Sequence, residues 1–109
     1  MPTIKAPAIN KLNKVSDSSL MQRVSKIHLI GVGGAGMCGI AEILYNLGYE
    51  VSGSDIKSTK TIERLQKIGV KTYAGHDKKY VDKKDLVIVS AAIPSDNEEL
   101  VESKKRKIP

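Results

Sequence analysis

The chain is predicted to fold as a small α/β domain with a doubly wound parallel sheet, and three observations predict it. Short apolar runs alternate with segments of helical periodicity. A glycine cluster, Gly31 to Gly36, stands between the first apolar run and the first helical segment. Phe and Trp are both missing, so the core must be built from Ile, Val, Leu and Ala, which suits strands covered on both faces. A chain of 109 residues supplies one core and not two.

Residues 1–25 read as a flexible leader. Pro2 and Pro7 break any early helix, and Lys5, Asn10, Lys11, Asn13 and Lys14 are polar. A short helix starting at Asp17 or Ser18 would carry Leu20, Met21 and Val24 inward. Lys26 to Ile30 is a buried strand ending at Gly31. Met37, Ile40, Ala41, Leu44 and Leu47 recur at helical spacing, and Gly48 stops that helix. Glu50 to Ser54 is the second strand. Ile62, Leu65 and Ile68 mark the second helix, stopped by Gly69. Val70 to Ala74 is the third strand, and Asp85 to Ser90, with four aliphatic residues in a row, is the fourth. A last helix is expected from about Asn97 to Lys107, with Ser95 and Glu98 at capping-box spacing. Its acids lie at the start and its bases at the end, so the run Lys104 to Lys107 reads as a solvated helix end. A further strand is expected after that helix, so the sheet reads as truncated near its last strand.

Composition narrows the function classes. The net charge is +6, which suits nucleic acid or a phosphorylated ligand. Single-strand binding needs aromatic stacking platforms, and only four Tyr are available. The lone Cys38 forms no internal disulfide, which fits a reducing compartment. No apolar run approaches the ~20 residues of a membrane span, and the first 25 residues lack a secretory core. A cytoplasmic location is expected. There is no Cys/His cluster for a metal and no recognisable Ser-His-Asp set, so neither a metal site nor a catalytic residue is expected in this chain.

The chemistry concentrates at the glycines. Gly31-x-Gly33-x-x-Gly36, between a strand and a helix, has the spacing of a Rossmann dinucleotide loop. Gly31 would make the tight turn, Gly33 would let a pyrophosphate approach the backbone, and Gly36 would let helix and strand pack closely. Gly34 adds freedom, and free N–H groups at the helix start would face the anion. The Gly31-to-Gly36 spacing also fits a P-loop. Met37 and Cys38 then stand where a P-loop needs Lys and Ser or Thr, so nucleoside triphosphate hydrolysis is not expected. Cys38 itself reads as a small buried hydrophobe.

Asp55 closes the second strand about 20 residues past Gly36, the place of a ribose-binding acid. His76 follows the third strand after Gly75, and Ser90 to Pro94 follow the fourth. Both segments would border the ligand crevice. His28, inside the first strand, reads as a packed structural histidine. From these residues alone, an NAD-binding domain and a non-enzymatic nucleotide-sensing module both fit.

The run Ile27 to Glu42, with Gly33-Gly34-Ala35-Gly36-Met37, strongly resembles the start of the Mur ligases. Leu47 to Asp55, ending Gly53-Ser54-Asp55, then Gly75-His76, and then Val89 to Asn97 continue the resemblance in order. It covers roughly residues 23–109. The resemblance implies that residues 26–109 are a Rossmann-like domain holding a UDP-sugar, UDP-N-acetylmuramate. The implied contacts are Gly31, Gly33, Gly34, Ala35, Gly36 and Met37 near the pyrophosphate, Ser54 and Asp55 on the uridine side, and His76, Ser90, Ala92 and Ile93 on the crevice wall. It further implies a parent ligase of peptidoglycan synthesis. In such an enzyme ATP, with magnesium, phosphorylates the lactyl carboxylate, and the L-alanine amine displaces the phosphate. The central ATP-binding and C-terminal domains of that family are absent from these 109 residues, so the chain alone is expected to bind and not to catalyse.

Overall fold

In the computed structural model, which describes residues 24–34, 36–57 and 59–109, the apolar runs pair into one four-stranded sheet. The strands are β1 (Lys26–Ile30), β2 (Glu50–Asp55), β3 (Lys71–Ala74) and β4 (Leu86–Val89), in the order β3-β2-β1-β4, and every pairing is parallel. The expected leader up to residue 23, its helix from Asp17, and Ala35 lie outside the described residues.

Alternation along β1 sorts its side chains. Ile27 and Leu29 pack with Val51, Leu86 and Ile88 in the larger apolar cluster. Two helices cover that face. The first, α1 (Met37–Asn46), buries Met37, Ala41 and Leu44. The second, α2 (Lys60–Ile68), buries Ile62 and Leu65. On the opposite face Ile30 and Val87 join Val81 and Leu100 in a smaller cluster. That cluster lies under α3 (Glu98–Lys105) and a single 3-10 turn, Lys78–Val81. The sheet is therefore sandwiched, as crossover connections between parallel strands require.

Several boundaries differ from the expected ones for local reasons. Helix α3 is capped by Asn97, whose side chain accepts from the N–H groups of Glu99 and Leu100, and not by Ser95. Glu98 instead accepts the backbone N–H of Lys78 at 2.8 Å, tying α3 to the 3-10 turn. Leu47 is the C-cap of α1 and is exposed, so the inward stripe ends at Leu44. Val24 is buried, and the Asp85 carboxylate holds the backbone N–H groups of Ser25 and Lys26 at 3.0 and 2.9 Å. The two residues before β1 thus belong to the packed unit. These bonds hold the Asp85 carboxyl below its ordinary range. At the far end, Val87 N–H donates to the Pro109 carbonyl at 2.9 Å, so the last residue lies along β4.

Candidate functional site

β1 is flanked by β2 on one side and β4 on the other, so the chain changes winding direction between β1 and β4. In such sheets a crevice opens beyond the carboxyl ends of the strands at that point. A cavity of about 590 Å³ lies there. Its lining comes from the residues after all four strands: Gly31, Gly33 and Gly34 after β1, Asp55 to Lys57 after β2, His76 after β3, and Ser90 with Ala92 to Pro94 after β4. Thr59 and Asn97, the caps of α2 and α3, complete it. The volume suits a small-molecule ligand.

The glycine loop is held by its own backbone. Gly31 and Val32 N–H groups both donate to the Ser54 carbonyl, at 2.8 and 3.1 Å, fixing the loop to the end of β2. Gly31 has φ 84° and Gly36 φ 83°, left-handed values that a side chain strains. A Cβ on Gly36 would meet nothing within 4 Å, so its requirement is the turn and not the close helix–strand packing expected of it. The tight approach is at Gly53 of β2, where a Cβ would stand 2.5 Å from the Cβ of Val32.

The N–H groups expected to point freely at an anion are in part engaged. Gly34 N–H donates to the Gly31 carbonyl at 3.0 Å and Met37 N–H to the Gly34 carbonyl at 3.1 Å. Gly33 N–H donates to Asp55 Oδ2 at 3.0 Å, and Asp55 Oδ1 accepts from Lys57 N–H at 3.0 Å. The amide that would meet a phosphate thus already holds a carboxylate.

Of the residues expected at the site, Gly31, Gly33, Gly34, Asp55, His76, Ser90, Ala92 and Ile93 line the cavity. Gly36 and Met37 do not. Met37 is buried in the core, and Gly36 serves the turn. Ser54 is fully buried behind the wall, with its hydroxyl donating to Glu99 Oε1 at 2.8 Å. Ile56, Lys57, Thr59, Pro94 and Asn97 are additional wall residues. Among the described lining residues Lys57 alone carries an ammonium, two positions past Asp55. Cys38 packs against the core as a half-buried hydrophobe, outside the cavity.

Behind the wall lies a polar cluster that sequence reasoning missed. Glu99 of α3 is completely buried. Besides Ser54, its Oε1 accepts from His28 Nε2 at 2.6 Å, and its Oε2 pairs with His76 Nδ1. His28 Nδ1 meets Ser52 Oγ at 2.7 Å. His28 is therefore buried as expected, but as a member of a hydrogen-bonded network. Burial pushes the Glu99 carboxyl up. The hydrogen bonds from His28, Ser54 and His76 outweigh that and hold it below its ordinary range. Every buried side-chain polar atom among the described residues has a partner. No group of three His, Cys, Asp or Glu among those residues is arranged to hold a metal ion, and no described helix is long and apolar enough to cross a membrane.

Residues 26–109 match the family model described as Mur ligase family, catalytic domain. A UDP-N-acetylmuramate–L-alanine ligase from Paracidovorax citrulli (strain AAC00-1) is 49% identical over 86 residues, 79% of this chain and 18% of that protein. The enzyme of the same name from Acidovorax sp. (strain JS42) is 48% identical over 90 residues, 83% of this chain and 19% of that one. The chain thus spans about a fifth of the length of these relatives. Among solved structures, the UDP-N-acetylmuramate-alanine ligase from Thermotoga maritima superposes with a TM-score of 0.74 at 34% identity, over 77% of this chain and 20% of that one. The UDP-N-acetylmuramate:L-alanyl-gamma-D-glutamyl-meso-diaminopimelate ligase from Neisseria meningitides gives 0.72 at 29% identity, over 79% of this chain and 28% of that one.

Proposed function

Because the chain belongs to the Mur ligase family, we propose that residues 26–109 are the UDP-sugar seat of a UDP-N-acetylmuramate–L-alanine ligase. The observation that carries this reading is the cavity at the strand ends, walled by the glycine loop, Asp55, His76 and Ser90. A diphosphate oxygen arriving at Gly33 N–H takes the place of Asp55 Oδ2, and the released carboxylate turns to the ribose hydroxyls. Lys57 balances the second phosphate charge. Ile93 and Pro94 give the sugar or base an apolar wall.

The parent enzyme works in the cytoplasm. It joins the lactyl carboxylate of UDP-N-acetylmuramate to the amine of L-alanine in peptidoglycan synthesis, at the expense of ATP. The described residues do not fit ATP and magnesium in the P-loop manner. Met37 is buried in the core and Cys38 packs against it, where an ammonium and a magnesium-binding hydroxyl are needed. No catalytic step is therefore assigned to these residues, and ATP belongs to other domains of the parent.

Calorimetric titration with UDP-N-acetylmuramate and, separately, with NADH tests the reading. Binding of the UDP-sugar at least tenfold tighter than NADH is expected. Tighter NADH binding would replace the ligase reading with a dinucleotide-binding or nucleotide-sensing one.

A further inference from the structure

Glu99 grips His76 at Nδ1, and His76 also lines the cavity. His76 Nδ1 is taken by Glu99 Oε2, with Ser54 Oγ at 3.2 Å, while Nε2 has no partner among the described residues. A carboxylate only accepts hydrogen bonds, so every group around it must donate. With Glu99 ionised, the Nδ1 proton of His76 points inward and the Nε2 lone pair is left for the cavity. His28 Nε2 and Ser54 Oγ share Glu99 Oε1, so Oε2 is left for His76.

We propose that Glu99 is a positioning residue that fixes the His76 tautomer, so that Nε2 takes up one proton from solvent as a phosphate oxygen of the ligand arrives. The inference rests on the UDP-sugar reading above. A lone pair facing a phosphate oxygen is repulsive, whereas an Nε2–H donor on an imidazolium is attractive. The buried carboxylate behind the ring compensates the new positive charge, as a carboxylate does for an imidazole in a catalytic or metal-binding pair. The balance is one proton gained by Nε2 from the buffer, with no bond broken in the ligand. Glu99 holds its own ionisation through three donors in a fully buried place.

Other charged groups surround the ring. Asp55 and Lys57 share the cavity from the end of β2. Asp77 and Lys78 follow in the same loop, and Glu98 of α3 holds the Lys78 N–H. His28 of β1 lies behind Glu99, near the stacked rings of Tyr73 and Tyr80. Among the described lining residues Asp55 alone carries a carboxylate, and it is the competing proton acceptor.

UDP binding measured by calorimetry at about pH 8, in buffers of different ionisation enthalpy, counts the protons taken up. Close to one proton per UDP is expected for the native chain. In Glu99→Gln the uptake falls by more than half and affinity drops about tenfold. His76→Gln, at a half-buried position, should abolish the uptake. Undiminished uptake in either variant overturns the proposal, as does uptake that vanishes only in Asp55→Asn. A merely structural Glu99 would weaken binding and leave the proton count alone. If the native chain fails to bind UDP, the UDP-sugar reading falls. The ligand-free ring nitrogen shifts of His76 then decide the role of Glu99. An Nδ1–H tautomer is expected, and an Nε2–H tautomer contradicts it.

Discussion

The Asp55 carboxylate occupies the backbone N–H of Gly33, at 3.0 Å, in the middle of the glycine loop. A residue whose sequence position suits a ribose contact thus also holds the amide proposed to meet the phosphates. On the proposed UDP-sugar reading, ligand entry is an exchange in which one anionic acceptor leaves Gly33 as another arrives.

The exchange has a measurable cost. Asp55→Asn keeps the shape and removes the charge that an incoming phosphate must displace. Inorganic pyrophosphate should bind this variant about three- to tenfold more tightly than the native chain, by roughly 1 kcal/mol of relieved repulsion. Titration of the two proteins with pyrophosphate at one ionic strength checks it. Equal or weaker binding by the variant would mean that Asp55 does not face the phosphates.

Gly53 is where β2 meets the loop most closely. A methyl group there would stand 2.5 Å from the Val32 Cβ, and Val32 is itself fully buried. Gly53→Ala should therefore cost about 1–3 kcal/mol, as overpacking of a filled core does. For a domain of this size that lowers the melting temperature by roughly 4–8 °C per kcal/mol. Pairing it with Val32→Ala, which removes the opposing atoms, should restore part of the loss. A thermal melt of the two single variants and the double variant checks this.

Acid sensitivity follows from Glu99 and Asp85. Both carboxyls are held below their ordinary values in the folded chain. The unfolded chain then binds more protons than the folded one as pH falls below the ordinary values of 4.5 and 3.8. Their stabilisation is fully present above those values and is lost as pH falls through the lowered ones. Urea midpoints at a series of pH values should fall in that acidic window, and the gap between the native chain and Glu99→Gln should narrow there. A gap independent of pH would show that Glu99 is not ionised in the fold.

The elements that depend on local pattern were legible from residues alone. Aliphatic runs marked β1 and β4, short segments after the glycine stops marked β2 and β3, and the spacing of Ile62 and Leu65 marked α2 with its stop at Gly69. The Lys78–Val81 turn escaped because it is four residues long and mostly polar, held by the Asp77 cap and the α3 contact. The cavity wall was legible in part, because strand ends at a winding reversal must converge. Strand alternation separates the two neighbours: Asp55 lines the cavity, and the Ser54 hydroxyl is buried on Glu99. Glu99 carried no signal, since a carboxylate beside Glu98 in a charged helix reads as solvated. Only the packing of α3 over His28 and Ser54 makes it a buried hub.

The most direct measurement is a crystal structure of the chain with UDP-N-acetylmuramate bound. Diphosphate oxygens within hydrogen-bond reach of Gly33 N–H, with Asp55 turned toward the ribose, are the expected result. A diphosphate lodged away from Gly31 to Gly36, with Asp55 still on Gly33, would contradict it.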